Sequence, residues 1–182
     1  MSLEKQLQEE YGTAKRAGNF YRNQCLDHLN EMMIRFVAEQ ELMFIATSDR
    51  GGNCDSSIRA GEKGFVKVAD EKTLLYPEYR GNGVYASLGN MAENPHIGIL
   101  MVDFLKSTIG LHVNGQAEIV ENPEGVDDPR AERWVRVTVE EAYIHCSKHI
   151  PLLRKMDKKI HWNTDDESLK GGNYFDINNP AE

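Results

Sequence analysis

The sequence predicts a mainly β protein in which six or seven antiparallel strands form a small barrel with helices at its ends. Short runs rich in branched and aromatic residues alternate with turn residues along most of the chain, which is typical of strands joined by hairpins. The connections between these runs are too short for repeated helical crossovers. A parallel α/β sheet is therefore disfavoured.

Composition indicates one domain with an appendage. The chain has 182 residues, of which 40% are hydrophobic, and no apolar run is long enough for a membrane span. The net charge of −8 disfavours nucleic acid as a partner. The charged N-terminus lacks an apolar signal region, so a cytoplasmic location is expected. The three cysteines are an odd number, which predicts free thiols.

Two helices are predicted before the first strand. The first covers residues 3–17 and ends at Gly18 and Asn19, which are common helix terminators. The second covers residues 26–40 and is amphipathic. Its apolar face is formed by Leu26, Leu29, Met33, Phe36 and Val37. We expect this helix to pack across one end of the barrel.

The first hairpin joins a strand at 42–48 to a return strand at 54–59 through a glycine-rich turn. The return strand is unusually polar. Its polar side chains are Asp55, Ser56, Ser57 and Arg59. Such a strand is either a solvated sheet edge or the wall of a polar ligand site, and the pattern alone leaves both interpretations open.

The remaining strands follow the same alternation of apolar runs and turns. They are predicted at 65–68, 73–76 (ended by Pro77), 97–104, 109–120 and 134–139. Residues 140–148 are predicted as a short helix that Pro151 ends. The last ten or so residues are expected to be disordered or to cross to a partner subunit.

The centre of the chain, at 74–103, combines a strand, an Arg/Gly/Asn loop, a short helix and a second strand. Asn82 is a suitable N-cap for the helix. Unpaired N–H groups at a helix start attract phosphate, and the Arg80 guanidinium adds paired donors. Ser87 and Asn90 are polar and could line the same loop. The alternative is an ordinary surface turn followed by a capped helix.

A cysteine and two histidines lie close together after the last predicted strand. On a helix, His145 and His149 would share a face beside Cys146. A metal site needs a third ligand, which the nearby sequence lacks, so no metal is predicted. The alternatives are thiol catalysis with a histidine base and a helix packed near a subunit interface, and the packing interpretation is preferred.

Four blocks together resemble the pyridoxamine 5′-phosphate oxidase-like family of FMN-binding split barrels, and most closely its oxidase-related branch. They are FIATSD at 44–49, SSIRAGEKGFVKV at 56–68, LLYPEYRGNGVYASLGNMAENPHIGILMVD at 74–103 and EEAYIHCSKHIP at 140–151. The resemblance covers residues 40–155. It implies an N-terminal helical segment at 1–40, a split barrel at 41–155 and a tail at 156–182.

The resemblance also implies a homodimer with FMN between the subunits. Arg80 and Asn82 are then the phosphate anchor, with Ser87 and Asn90 in support. Ser56, Ser57 and Arg59 are expected near the flavin ring or ribityl chain. His112 and His145 are candidates for the half of the cleft that the other subunit supplies. No catalytic residue is predicted.

The function predicted from this resemblance is that of an FMN-dependent oxidoreductase acting on an unidentified small molecule. Two alternatives stay open. One is a flavin- or haem-binding carrier or sensor without turnover, because one fold supports many functions. The other keeps the redox chemistry but replaces FMN by a deazaflavin.

Overall fold

The computed structural model describes residues 2–169 and residue 175, and it shows one antiparallel sheet with four α-helices. The helices are α1 (Leu3–Glu10), α2 (Ala14–Asn23), α3 (Glu31–Ala38) and α4 (Ala86–Glu93). The strands are β1 (Cys25–Leu26), β2 (Leu42–Ser48), β3 (Cys54–Ala60), β4 (Lys67–Asp70), β5 (Thr73–Tyr79), β6 (His96–Val102), β7 (Gly110–Val120) and β8 (Ala131–His145).

The sheet has the strand order β3-β2-β6-β7-β8-β5-β4, and the short β1 pairs with β8. The two end strands, β3 and β4, are not paired with each other in this order, so the sheet is open rather than a closed barrel. The mainly β, antiparallel prediction is confirmed. All seven predicted strands are present, and the eighth is the two-residue β1.

The hydrophobic core lies on one face of this sheet, which we call the inner face. Along β2, for example, Met43 and Ile45 are buried whereas Ala46 is exposed, as the alternation of a half-covered strand requires. Helices α3 and α4 cover the inner face, and they contribute Val37, Leu88 and Met91 to the core. The opposite, outer face carries the more exposed side chains of β2 and β3.

The N-terminal helices differ from the prediction of one helix at 3–17. The chain breaks after α1 at Gly12, whose φ of +65° is a left-handed conformation that glycine adopts without strain. Helix α2 then continues through Gly18 to Asn23, so that glycine does not end a helix. A local terminator signal is weak where packing favours another turn.

The second predicted helix, at 26–40, is shorter than expected. Leu26 belongs to β1, where it pairs with Ala142 of β8. Helix α3 begins only after Asn30, whose side chain accepts a hydrogen bond from the Met33 N–H at 3.0 Å. Asn30 is therefore the N-cap, and a side chain that satisfies a free amide fixes the helix start more firmly than apolar spacing does.

Strand β5 continues past the predicted stop at Pro77 and ends at Tyr79. Strand β4 pairs with β5 only as far as Leu75, whereas β8 follows β5 along its whole length. Pro77 thus lies where β5 has a neighbour on one side only, which is where a sheet tolerates proline.

The predicted helix at 140–148 is wrong. Strand β8 runs without interruption to His145, because β7 offers a partner along that length and pairs Gly110 with His145. A single turn of 3-10 helix follows at Ser147–His149. His145 and His149 therefore do not share a helix face.

Helix α4 begins at Ala86 instead of directly after Asn82, as the prediction had it. The Asn82 side chain accepts a hydrogen bond from the Val84 N–H at 3.0 Å, which closes a local turn and not a helix cap. Gly83 and Tyr85 both have positive φ, at +77° and +56°, and lead the chain into the helix.

Within residues 2–169 and residue 175, no helix has the length and apolar character needed to cross a bilayer. The prediction for the last ten residues lies outside the described residues, apart from residue 175.

Candidate functional site

Helix α4 is fixed to the polar end of the β2–β3 hairpin by side-chain hydrogen bonds. The Ser87 hydroxyl donates to Asp55 at 3.1 Å, and the Asn90 amide donates to Thr47 at 3.1 Å. Ser87 and Asn90 thus hold the helix in place, with Ser87 buried. We call the junction of the α4 start with β3, β5 and β8 the α4 corner, which contains Asp55, Ser57, Arg59, Glu78, Tyr85, Ala86, Ser87 and Arg133.

The start of α4 has no side-chain cap. Tyr85 stands at the N-cap position in the left-handed conformation, and it makes no side-chain capping bond. The first amides of an uncapped helix point outward and carry the positive end of the helix dipole. The α4 corner therefore presents backbone donors at Ala86 and Ser87 that suit an anion.

The inner face of β3 brings Ser57 and Arg59 to this corner. The Arg59 Nε donates to Glu78 at 2.7 Å, and its Nη1 donates to Ser57 at 2.7 Å. The Arg59 and Glu78 side chains are only 16% and 10% exposed. Arg59 is thus held rigidly, while its Nη2 takes no part in these bonds. Ser56 lies on the outer face of β3 and is exposed, so the structure separates it from Ser57.

Glu78 lies between two arginines. The β5–β8 register places it directly opposite Arg133, and Arg59 reaches it from β3. Burial raises the pKa of the Glu78 carboxyl, and the Arg59 guanidinium opposes that rise. The Glu78 carboxylate therefore has a hydrogen-bonded guanidinium, that of Arg59, and a second guanidinium, that of Arg133, as its neighbours.

Arg133 is a site candidate that the sequence did not reveal. Its guanidinium carbon lies 5.3 Å from the centre of the Tyr85 ring, over the residue that precedes α4. Its contact with Glu132 is long, at 4.0 Å, so the ion pair is weak. In the sequence, Arg133 is marked only by its place directly before the strand predicted at 134–139. Its place at the corner depends on the pairing of β8 with β5, which no short pattern shows.

Arg80, the predicted phosphate anchor, is held by carboxylates. Its Nε donates to Glu132 at 3.1 Å, and its Nη1 donates to Asp165 of the tail at 2.5 Å. These hydrogen bonds raise the pKa of Arg80, led by the contact with Glu132. Glu132 also lies beside Arg133, so the two arginines flank one carboxylate. The role of Arg80 and Asn82 in phosphate binding stays a prediction.

His112 and His145 form a pair on the outer face of the sheet. The Nε2 of His112 lies 2.8 Å from the Nδ1 of His145, so one ring donates a hydrogen bond that the other accepts. Tyr143 stacks on His112 with ring centres 4.6 Å apart. Burial, and then the charge of His145, lowers the pKa of His112. His112 is therefore neutral more readily than an isolated histidine.

The histidine pair and the α4 corner do not meet within one chain. The register places His112 opposite Leu100, Leu100 opposite Phe44, and Phe44 opposite Ile58, so these side chains share the outer face. Ser57 and Arg59 point to the inner face. The predicted cofactor residues thus do not form one site within the chain. Ser57, Arg59, Ser87 and Asn90 lie toward the inner face, the histidine pair lies on the outer face, and Arg80 lies apart from both with Glu132 and Asp165.

A metal centre and a disulfide are not among the features of the described chain. No group of three or more His, Cys, Asp or Glu side chains within residues 2–169 and residue 175 is arranged to hold a metal ion. All three cysteines are free thiols, with Cys54 and Cys146 exposed and Cys25 partly covered.

The open antiparallel sheet, with α4 packed against β2, β3 and β7, defines a split-barrel-like protein. The family described as pyridoxamine 5′-phosphate oxidase matches residues 29–146, and the chain belongs to this family. The resemblance stated from the sequence blocks is thereby confirmed.

Solved structures agree with this fold. A single-residue variant of HupZ from Group A Streptococcus is 21% identical with a TM-score of 0.50, and the match covers 64% of this chain and 99% of that one. A protein from Lactobacillus delbrueckii named as a putative pyridoxamine 5′-phosphate oxidase is 21% identical with a TM-score of 0.50, over 65% of this chain and 95% of its own. No curated protein matches the chain significantly.

Proposed function

We propose that this protein is an FMN-dependent oxidoreductase that acts on a small molecule and binds its flavin with the phosphate at the α4 corner. Proteins of the matched family commonly bind flavins. The observation that carries the proposal is the uncapped start of α4, with Arg133 over Tyr85 and the partly buried Arg59 at the same corner.

The donors of the α4 corner fit a phosphate monoester. The amides of Ala86 and Ser87 begin the helix, and the weakly paired guanidinium of Arg133 lies over the Tyr85 ring. Arg59 adds an Nη2 group that is not used in its bonds to Glu78 and Ser57. Backbone amides and guanidinium groups together are the donors that proteins use for phosphate.

In this proposal the flavin supplies the hydride chemistry and the chain supplies binding, orientation and charge. Arg59 and Ser57 form a rigid polar wall along β3, because Glu78 and the strand backbone hold the guanidinium in one place. Such a wall orients the polar edge of a flavin ring or its ribityl chain at little entropic cost.

The proposal includes a homodimer. The α4 corner and the histidine pair lie on opposite faces of one chain, so a second copy is needed to bring His112 and His145 to the flavin held by the first. The outer face offers apolar contact area, since Ile58 is 59% exposed there. Light scattering on the purified protein tests the stoichiometry, and a monomeric mass at micromolar concentration contradicts it.

Binding of FMN is tested by comparing FMN with riboflavin, which lacks the phosphate, in titrations followed by flavin fluorescence. Arg133→Gln should weaken FMN binding by about ten- to a hundredfold, because a charged hydrogen bond is worth about 1.5–3 kcal/mol. Riboflavin binding should be unaffected. The control is Arg136→Gln on the same strand, whose arginine pairs with Glu118 at the surface. Equal affinities for FMN and riboflavin would reject the phosphate site.

The two alternatives from the sequence are separated by the bound molecule and by its reduction. Mass spectrometry of the ligand extracted from the purified protein distinguishes FMN, a deazaflavin and haem. A bound flavin that no nicotinamide donor reduces favours a carrier or sensor without turnover. The free thiols fit the reducing cytoplasm, which we propose as the location.

A further inference from the structure

The first part of the C-terminal tail is attached to the end of β5 by an aromatic cluster. The Trp162 and Tyr79 rings meet edge to face, with centres 5.3 Å apart. The Arg130 guanidinium lies 5.5 Å from the Tyr79 centre and 5.6 Å from the Trp162 centre. Asp128 accepts hydrogen bonds from both Arg130 and Tyr79, which fixes the cluster on the body of the protein. Stacked cations and rings of this kind hold an otherwise irregular segment in place.

The residue after Trp162 connects the tail to the Arg80 loop. The Asn163 side chain donates to the Arg130 carbonyl at 2.6 Å and accepts from the Arg80 N–H at 3.0 Å. Asn163 has a positive φ of +54°, a conformation that asparagine tolerates better than most residues. The chain thereby turns toward Arg80, and the Asp165 carboxylate reaches the Arg80 Nη1 at 2.5 Å.

The ion pair between Asp165 and Arg80 is exposed and therefore weak. Arg80 and Asp165 are 48% and 71% exposed, and ion pairs this exposed contribute little to stability. With Glu132 on its other side, Arg80 meets two carboxylates, so its Nε and Nη1 donors are both taken while the tail is in place. An incoming anion cannot use the Arg80 guanidinium in full unless Asp165 leaves.

We propose that residues 162–165 form a latch over Arg80, with Asp165 standing in for a phosphate oxygen until a phosphate monoester displaces it. Arg80 adjoins the α4 corner because the Glu132 carboxylate contacts both Arg80 and Arg133. This inference rests on the proposed function. Because Trp162 and Asn163 hold the tail nearby, Asp165 competes at a high local concentration without a strong contact of its own. A dianionic phosphate displaces it, whereas an uncharged ligand such as riboflavin does not. The latch therefore opens only for phosphorylated ligands, at a small cost to their affinity.

The competition is tested with Asp165→Asn in the full-length protein. Removing an exposed carboxylate competitor should strengthen FMN binding by about 1.5- to fivefold, the range that exposed ion pairs span. Riboflavin binding should not change. The control is Asp166→Asn, because the Asp166 carboxylate accepts from Ser168 and has no contact with Arg80. Equal FMN affinity in the wild type and in Asp165→Asn overturns the latch even if FMN binds well.

Release of the tail is measured separately by ¹⁹F NMR of protein labelled with fluorotryptophan. The chain has two tryptophans, so each resonance is assigned with one substitution. Trp134 is 5% exposed in the core and serves as the internal reference, whereas Trp162 reports on the latch. Inorganic phosphate or FMN should move the Trp162 resonance and leave Trp134 unchanged, and Arg80→Gln should abolish the response to inorganic phosphate.

The two readouts separate the latch from the proposed function. If FMN does not bind but inorganic phosphate still moves the Trp162 resonance through Arg80, the latch stands and the flavin function fails. If FMN binds and the Trp162 resonance stays fixed, the function stands and the latch is overturned. If neither ligand moves the resonance or binds, both are overturned.

Discussion

Replacement of Arg59 by glutamine should destabilise the protein strongly, because it leaves the Glu78 carboxylate without its closest cation. The two side chains are 16% and 10% exposed and their charged atoms lie 2.7 Å apart. Removing one partner of such a buried pair costs about 3–5 kcal/mol. For a chain of this size that corresponds to a fall of about 6–20 °C in the midpoint of thermal unfolding.

The stability that Arg59→Gln loses should depend on pH. Burial already raises the pKa of Glu78 above 4.5, and removing Arg59 raises it further. A carboxyl whose folded pKa is raised binds its proton more tightly in the folded state, so stability falls as the pH rises through that range. The penalty of Arg59→Gln should therefore be smallest at or below pH 4.5 and largest above the raised pKa.

Urea unfolding followed by circular dichroism measures these free energies. The double variant Arg59→Gln with Glu78→Gln should recover most of the stability, since it removes both charges and keeps hydrogen-bonding groups of similar size. Arg136→Gln, which breaks an exposed pair on β8, should cost less than about 1 kcal/mol. A cost for Arg59→Gln as small as this control, or a double variant that is simply additive, would refute the reasoning.

Three further expectations concern the sheet, the histidine pair and the thiols. Gly115→Ala should lower the free energy of unfolding by about 1–3 kcal/mol, because the new methyl group would lie 2.0 Å from a carbonyl oxygen of β8. Gly89→Ala in α4 has open space and should raise it by about 0.5–1 kcal/mol. Urea unfolding measures both changes. His145→Gln should raise the pKa of His112 in an NMR titration, since one of the two causes that lower it is removed; an unchanged pKa would contradict the pairing. Cys25 should react with a disulfide reagent more slowly than the two exposed thiols, because burial and then a nearby glutamate raise its pKa, and equal rates would argue against its partial burial.

Strands β2, β6 and β7 were predictable because buried and more exposed side chains alternate along much of their length. The bounds of β2 agree with the predicted strand at 42–48, since its buried and exposed side chains alternate and a glycine turn ends it. The end of β8 was not predictable in this way. Its last residues are strand because β7 pairs with them across the sheet, and a short polar segment ended by a proline looks the same in a helix.

The sequence grouped only residues that lie close together in the chain, at 80–90. It placed Ser87 and Asn90 along the loop before the helix, whereas their hydrogen bonds in the structure go to the β2–β3 hairpin. Arg133 and Glu78 were not found, because they meet only through the pairing of β5 and β8. The contact of Arg80 with Asp165 joins positions 85 residues apart, and a local sequence pattern cannot predict such a contact.

The central claim is that a flavin phosphate binds at the start of α4. The most direct test is a crystal structure of the protein with FMN. We predict that the phosphate accepts hydrogen bonds from the Ala86 and Ser87 amides and from the Arg133 guanidinium. A flavin whose phosphate lies elsewhere, or a crystal grown in saturating FMN with no flavin at this corner, would contradict the account.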